Sequence, residues 1–308
     1  MIKPKLQRDV ILKDFWRDNE RFADLFNAIV FNGRQIILPE QLTEADTDVS
    51  GIIDIKTVPE SLSRFRDLIK KTAQGVDYIL MAMENQMLTH YAMPLRVMLM
   101  DSLSYLKEYN QLRVLRKGEP LSGAEYLSGI RKDDRLHPVI SIVLYYGETP
   151  WDGPFSLMDM MTGMPAAVAD IFANYRMNLL QVIYSDGYVF HNPEVQMVFD
   201  ISREIFRRNY DQIKRLYGTQ TIENELLRVI AAITDSWELL DHPADHKEVS
   251  NMCTALEELK TEGKTEGKTE ARREIALKLL SKGLSTDFIH DVTDLSIEEI
   301  NALSDEHT

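Results

Sequence analysis

Two carboxylates and an amide, Asp67 and the pair Glu84 and Gln86, are the residues of this chain whose types and spacing could do chemistry together. Glu84 closes an apolar run, Tyr78-Ile79-Leu80-Met81-Ala82-Met83, which has the length of a buried strand and is far too short to cross a membrane. Arg66-Asp67-Leu68-Ile69-Lys70-Lys71 reads as a shorter strand. The stretch from Thr72 to Asp77 reads as the turn between them, with Gly75 and Asp77 as turn formers. A hairpin centred between Gly75 and Val76 predicts Asp67 directly opposite Glu84, their Cβ atoms roughly 5 Å apart. Gln86, two residues on, falls on the same face. Carboxylates that close repel each other, and a bound divalent cation removes the repulsion. Oxygen-only ligands suit Mg²⁺ or Mn²⁺, which keep several waters. No His/Cys set in the chain has zinc spacing. The plainer alternative makes Asp67 a surface strand acid between Arg66 and Lys70. Glu84 resists that reading, because a carboxylate closing an apolar run is costly without a partner.

An Asp, a spacer hairpin and Glu-x-Gln resemble the core of the PD-(D/E)XK nucleases, where the last position is normally Lys. The Gln is similar to the recombination-promoting nuclease, transposase-like (Rpn) branch. Phe22-Ala23-Asp24-Leu25-Phe26-Asn27, His90-Tyr91-Ala92-Met93-Pro94-Leu95-Arg96, and Pro138-Val139-Ile140 through Tyr145-Tyr146-Gly147 resemble further landmarks of that family. The resemblance covers the first half of the chain well and the rest loosely. It implies an α/β (α+β) fold with a restriction-endonuclease-like αβββαβ core, a helical C-terminal half and a helical tail. It also implies a Mg²⁺- or Mn²⁺-dependent endodeoxyribonuclease acting in recombination or on mobile DNA, with Asp67 and Glu84 as metal ligands and Gln86 completing the catalytic set. An amide carries no positive charge and exchanges no proton, so Gln86 is limited to orienting water or phosphate, and the expected rate falls. In this fold the first helix can bring an additional acid to the metal, which makes Asp24 a candidate against the alternative of an exposed helix acid. Lys70, Lys71, His90 and Arg96 are candidates for phosphate contact, against the alternatives of solvated or capping side chains. The competing function is a catalytically weak, nuclease-derived protein that binds DNA or assembles with itself through its tail.

Composition sets the limits. The 308 residues are 44% hydrophobic, enough for one large or two ordinary domains with a proper core. The single cysteine, Cys253, rules out a disulfide framework. No apolar run approaches the length of about 18 residues that a spanning helix needs, and the N-terminus lacks a signal-peptide apolar core, so a cytoplasmic protein without membrane contact is expected. The net charge of −14 argues against nucleic-acid binding. It is unevenly spread: from Glu60 to Arg135 twelve Lys or Arg face ten Asp or Glu, whereas from Glu257 onward seven face thirteen.

The elements that must position the site follow in order. Helical spacing over 10–31 predicts one or two helices, the second stopped by Asn32-Gly33. Arg34 to Leu38 and Gly51 to Val58 read as short strands, and 39–48 as a polar connection. Pro94 opens a long helix to about Leu115 whose expected buried stripe is Leu95, Met98, Leu99, Ser102, Leu103 and Leu106. Pro138 to Tyr145 reads as a central buried strand. From Ser156 the pattern is mostly helical, with strands expected at Leu179–Ile183 and near Tyr188–Phe190, and a helix from Pro193 whose arginines form a basic edge. A Lys-Thr-Glu-Gly repeat from Lys260 predicts a marginal, glycine-weakened helix or hinge. Beyond it Gly283 ends a helix, while Ser285 and the Ser296/Glu299 capping box start two more, in helix-turn-helix outline. The expected domains are 1–155, 156–258 and 259–308.

Overall fold

The computed structural model describes residues 4–45, 68–72, 76–82, 89–240, 249–251 and 272–305. It is a mixed α/β protein that divides into two compact units, one of Met1–Ile213 with Glu225–Ser236, the other of Lys214–Asn224 with Trp237–Thr308.

In the first unit, α1 (Pro4–Arg17) and α2 (Asn19–Phe31) are separated by Asp18, whose carboxylate caps α2 by accepting from Glu20 N and Arg21 N. Asn32 and Gly33, both at positive φ, end α2 as their types predict. Next come β1 (Leu42–Glu44), β2 (Leu68–Thr72), β3 (Asp77–Ala82), α3 (Met93–Leu115), α4 (Gly123–Ser128), β4 (Val139–Tyr145), α5 (Ala166–Ala169), β5 (Asn178–Gln181) and α6 (Pro193–Phe206). The five strands form one sheet in the order β1-β2-β3-β4-β5. The first three are antiparallel neighbours, and β4 joins β3, and β5 joins β4, in parallel. Parallel partners on both edges explain why β4 is apolar apart from Ser141: Ile142, Val143, Leu144 and Tyr145 are all buried.

Alternation along the strands sorts side chains to two faces. Ile69, Val143 and Tyr145 share a core with Met93, Val97, Met100 and Leu103 of α3. On the other face Tyr78 meets Phe26 of α2 edge to face at 5.2 Å, and the Trp16 indole of α1 donates to the Tyr146 hydroxyl at 2.9 Å.

Several expectations are corrected. The polar connection at 39–48 contains β1, and 34–38 and 188–190 are not strands; 51–58 lies outside the described residues. β5 pairs with β4, so the sheet runs on past residue 155. Helix α3 is rotated from the expected stripe: Leu95 and Ser102 are exposed, whereas Arg96 and Asp101 are buried beside Met93, Val97 and Met100. Leucines on several sides of α3 leave its pattern ambiguous, and polar anchoring settles it. The Asp101 carboxylate accepts from Ser141 Oγ of β4 at 2.5 Å and from the Tyr175 hydroxyl.

The second unit holds a short antiparallel ladder of β6 (Thr221–Glu223) and β7 (Val249–Asn251), reached through α7 (Tyr210–Tyr217); α8 (Asn224–Thr234) returns to the first unit. Residues 272–280 are helical, and α9 (Thr286–Thr293) and α10 (Ile297–Asp305) follow. Ala276, Ile289, Leu295 and Ile300 make their small core. The Ser285 cap and the Ser296/Glu299 box form as the sequence predicts. Glu298 and Glu299 stand exposed in the first turn of α10, where carboxylates would repel a phosphate backbone. Among the described residues no helix is long and apolar enough to cross a membrane.

Candidate functional site

Because β2 and β3 are antiparallel, the start of β2 at Leu68 and the end of β3 at Ala82 lie at one end of the sheet. The start of α3 and the end of β4 gather there, since β3 and β4 run parallel and α3 packs with Val143 and Tyr145. Asp67, Glu84 and Gln86 themselves lie outside the described residues.

The register of the hairpin differs from expectation. An Asp67–Glu84 pair would set Leu68 opposite Met83; the ladder instead sets Leu68 opposite Leu80 and Lys71 opposite Asp77, a shift of three residues. Asp77 is therefore a strand residue and not a turn former. Thr72 N donates to Val76 O at 3.1 Å and Val76 N to Thr72 Oγ1 at 3.3 Å, which closes the loop earlier than the glycine alone suggested. An odd shift exchanges faces, so direct opposition of positions 67 and 84 does not follow from this ladder.

The flanking candidates have definite places. Asp24 is only 3% exposed, and its two oxygens accept from His191 N at 2.9 Å and Asn192 N at 3.0 Å. It anchors the turn whose Asn192 caps α6. That corrects the exposed-acid reading and leaves Asp24 engaged elsewhere than at a metal. Lys70 is 1% exposed; its ammonium donates to Arg17 O and Asn19 Oδ1 at the α1–α2 corner and lies 5.0 Å from the Phe22 ring centroid. It therefore does not reach a phosphate. Burial, the largest influence, holds its amine down at about 8, against the counteracting charges of Asp18 and Glu44. Lys71 points to the opposite face, exposed, and pairs with Asp77 at 3.1 Å. Arg96 is buried in the first turns of α3. His90 is half-buried, and its Nδ1 has no hydrogen-bond partner among the described residues. Burial first, and the Arg96 charge second, lower its pKa, which favours the neutral imidazole.

Two loops are tied together at this end. The Tyr91 hydroxyl donates to Asp152 Oδ2 at 3.2 Å, and a Cβ on Gly153 would come within 2.5 Å of Thr89 Cγ2. Hydrogen bonds from the Thr89 hydroxyl and then Tyr91 hold the Asp152 carboxyl below its ordinary range.

Sequence reasoning gave Tyr145 a place in a landmark but no role in the site. Its side chain is fully buried, it stacks edge to face on Trp151 at 5.3 Å, and its hydroxyl has no partner among the described residues. A Cβ on Gly147 would lie 2.2 Å from that hydroxyl, so the ring tip requires glycine there. The sequence signal available was Tyr-Tyr-Gly closing an otherwise apolar strand. Among the described residues no group of three His, Cys, Asp or Glu is placed to hold a metal ion. The chain matches no protein-family model, no curated protein and no solved structure.

Proposed function

We propose that the chain is a PD-(D/E)XK-type, Mg²⁺-dependent DNA endonuclease of the recombination-promoting class. The observation that carries this reading is the element order, two helices, three antiparallel strands, the helices α3 and α4 and a parallel fourth strand, in a sheet ordered β1-β2-β3-β4-β5. That order supports the αβββαβ arrangement the resemblance implies, and in the sequence Asp67 immediately precedes β2 while Glu84 and Gln86 follow shortly after β3.

Asp67 and Glu84 would hold the cation and Gln86 would orient water or phosphate. When bound, the metal supplies charge neutralisation for the phosphoryl transition state and lowers the pKa of a water. The reading sets a condition on the chain. Strict alternation, if continued from Ile69 and Ile79, would put positions 67 and 84 on opposite faces. One extra residue beyond Ala82, as a β-bulge supplies, brings them to the same face, and bulges recur next to active sites.

A catalytically weak DNA-binding or self-assembling protein is the second reading. Burial of Lys70 and Arg96 favours it, because it leaves fewer cations at the sheet end for a phosphate backbone. Self-assembly would use the tail, where Phe288 and Val292 stand exposed one turn apart on α9 and Leu284 is exposed just before it.

Supercoiled plasmid incubated with the purified protein in Mg²⁺, Mn²⁺, Ca²⁺ or EDTA separates the two. The nuclease reading expects nicking in Mg²⁺ or Mn²⁺ that Asp67→Asn and Glu84→Ala each abolish with the fold intact. Nicking by Asp67→Asn at the wild-type rate would overturn the assignment, and no metal-dependent nicking by the wild type would favour the second reading.

A further inference from the structure

At the far end of α3 the chain builds a lobe, residues 113–136, whose own helix buries nothing. No residue of α4 is buried, and Tyr126 and Leu127 are 81% and 88% exposed. Val114 and Leu115 at the end of α3, and Leu136, are exposed as well. The lobe is nonetheless held firmly. The Tyr109 hydroxyl donates to Ser128 O at 2.6 Å, and the Arg113 side chain lies so close to Gly129 that a Cβ there would come within 2.9 Å of its Nε. Arg116 pairs with Asp134 at 2.5 Å, Arg131 with Glu119 at 2.7 Å, and Ser122 and Glu125 close a capping box on α4.

The same bonds decide the charge that the lobe presents. Glu119, Glu125 and Asp134 are drawn inward and neutralised or capped, which leaves Asp133 as the fully exposed acid against exposed Arg113, Lys117, Lys132 and Arg135. In a chain of net charge −14 this is a local excess of exposed cations in the same lobe as the exposed apolar side chains. Tyrosine and arginine beside aliphatic anchors, with no internal cover, are the composition of a protein-binding surface.

We infer that the α3–α4 lobe docks an acidic protein segment carrying apolar anchors, such as an amphipathic helix with Leu or Phe beside Asp and Glu. The apolar side chains set this class of partner apart. Tyr126 alone of the five offers a ring on which a base could stack, and nucleic acid makes little use of four exposed aliphatics. Binding to a bilayer surface scales with the apolar area buried in it, and the six residues of α4 supply little.

The test uses the full chain and a fluorescent helical peptide of Leu and Glu. Its counterpart with Lys for Glu, a 20-base-pair duplex and phosphatidylglycerol vesicles serve as the other arms, and the readout is anisotropy or co-sedimentation at low and high salt. The acidic peptide should bind at least about ten-fold tighter than the Lys peptide, and the preference should shrink in high salt. Tyr126→Ser with Leu127→Ser should cost at least ten-fold, and Lys132→Glu with Arg135→Glu should reverse the charge preference. Both variants change exposed side chains, so unchanged melting temperatures are expected and establish that the fold persists. No binding of the acidic peptide, equal binding by either folded variant, or binding of duplex or vesicles that depends on Tyr126 and Leu127 would overturn the inference.

Discussion

Substitution of Asp24 by Asn separates a fold anchor from a metal ligand. The carboxylate is 3% exposed and accepts two backbone N–H bonds, from His191 at 2.9 Å and Asn192 at 3.0 Å. In Asp24→Asn the amide oxygen keeps one of these, while the amide NH₂ faces the other N–H and leaves two donors opposed. A hydrogen bond to a charged acceptor contributes roughly 1.5–3 kcal/mol, and a buried donor left unpaired costs about 1–3 kcal/mol. Part of each is recovered by a small shift of the turn, so a net loss of about 2–4 kcal/mol is expected. For a unit of this size about 1 kcal/mol corresponds to roughly 2–4 °C, so the melting temperature should fall by on the order of 10 °C. Because the same turn carries Asn192, which caps α6 through Glu194 N and Val195 N, the loss should include α6 and appear as one cooperative transition. Thermal melts followed by circular dichroism, with and without Mg²⁺, provide the assay. The anchor account expects a large drop and a Mg²⁺-induced stabilisation equal to that of the wild type. A variant that melts within about 2 °C of the wild type while losing its response to Mg²⁺ would refute the reasoning and return Asp24 to the metal.

Tyr145→Phe removes a buried hydroxyl that has no partner among the described residues, so its melting temperature should rise by a few degrees, on the order of 1 kcal/mol; a fall would mean that the hydroxyl is satisfied in solution. Lys70 gives a pH signature. With its folded-state pKa lowered from 10.5 to about 8, the unfolded chain holds a proton that the folded chain has released between those values, and stability gains with rising pH across that window. The wild type should therefore improve on Lys70→Met by about 1 kcal/mol between pH 7 and pH 9, and parallel melting curves for the two proteins would contradict it. Asp134, held down at about 2 first by the Arg116 hydrogen bond and then by Arg131 N, stabilises the lobe above pH 3.8 and loses that contribution as pH falls towards 2. Asp134→Asn should weaken protection of α4 amides from hydrogen exchange at pH 7, and unchanged protection would count against the lobe being tied through Arg116.

Features written in a few consecutive residues were legible in the sequence. The stop of α2 at Asn32-Gly33, the start of α6 at Pro193, the capping box at Ser296 and the apolar run of β4 all depend on neighbours within one turn or one strand, and the structure forms each of them. Features set by the meeting of distant segments were not legible. The hairpin register depends on where the loop after Thr72 closes and on β1 and β4 pairing at its two edges, and glycine position alone misplaced it by three residues. Which side of α3 is buried depends on Ser141 and Tyr175 reaching Asp101 across 40 and 74 residues of chain. Charged side chains were the hardest to place, because charge in a sequence reads as exposure. Lys70, Arg96 and Asp24 are buried, and for Lys70 and Asp24 the backbone groups that make burial tolerable, Arg17 O for one and His191 N and Asn192 N for the other, come from residues far away in sequence. Local chemistry therefore determined the elements and their ends, while tertiary packing decided register, facing and the fate of each buried charge, since only packing brings the compensating partners into reach.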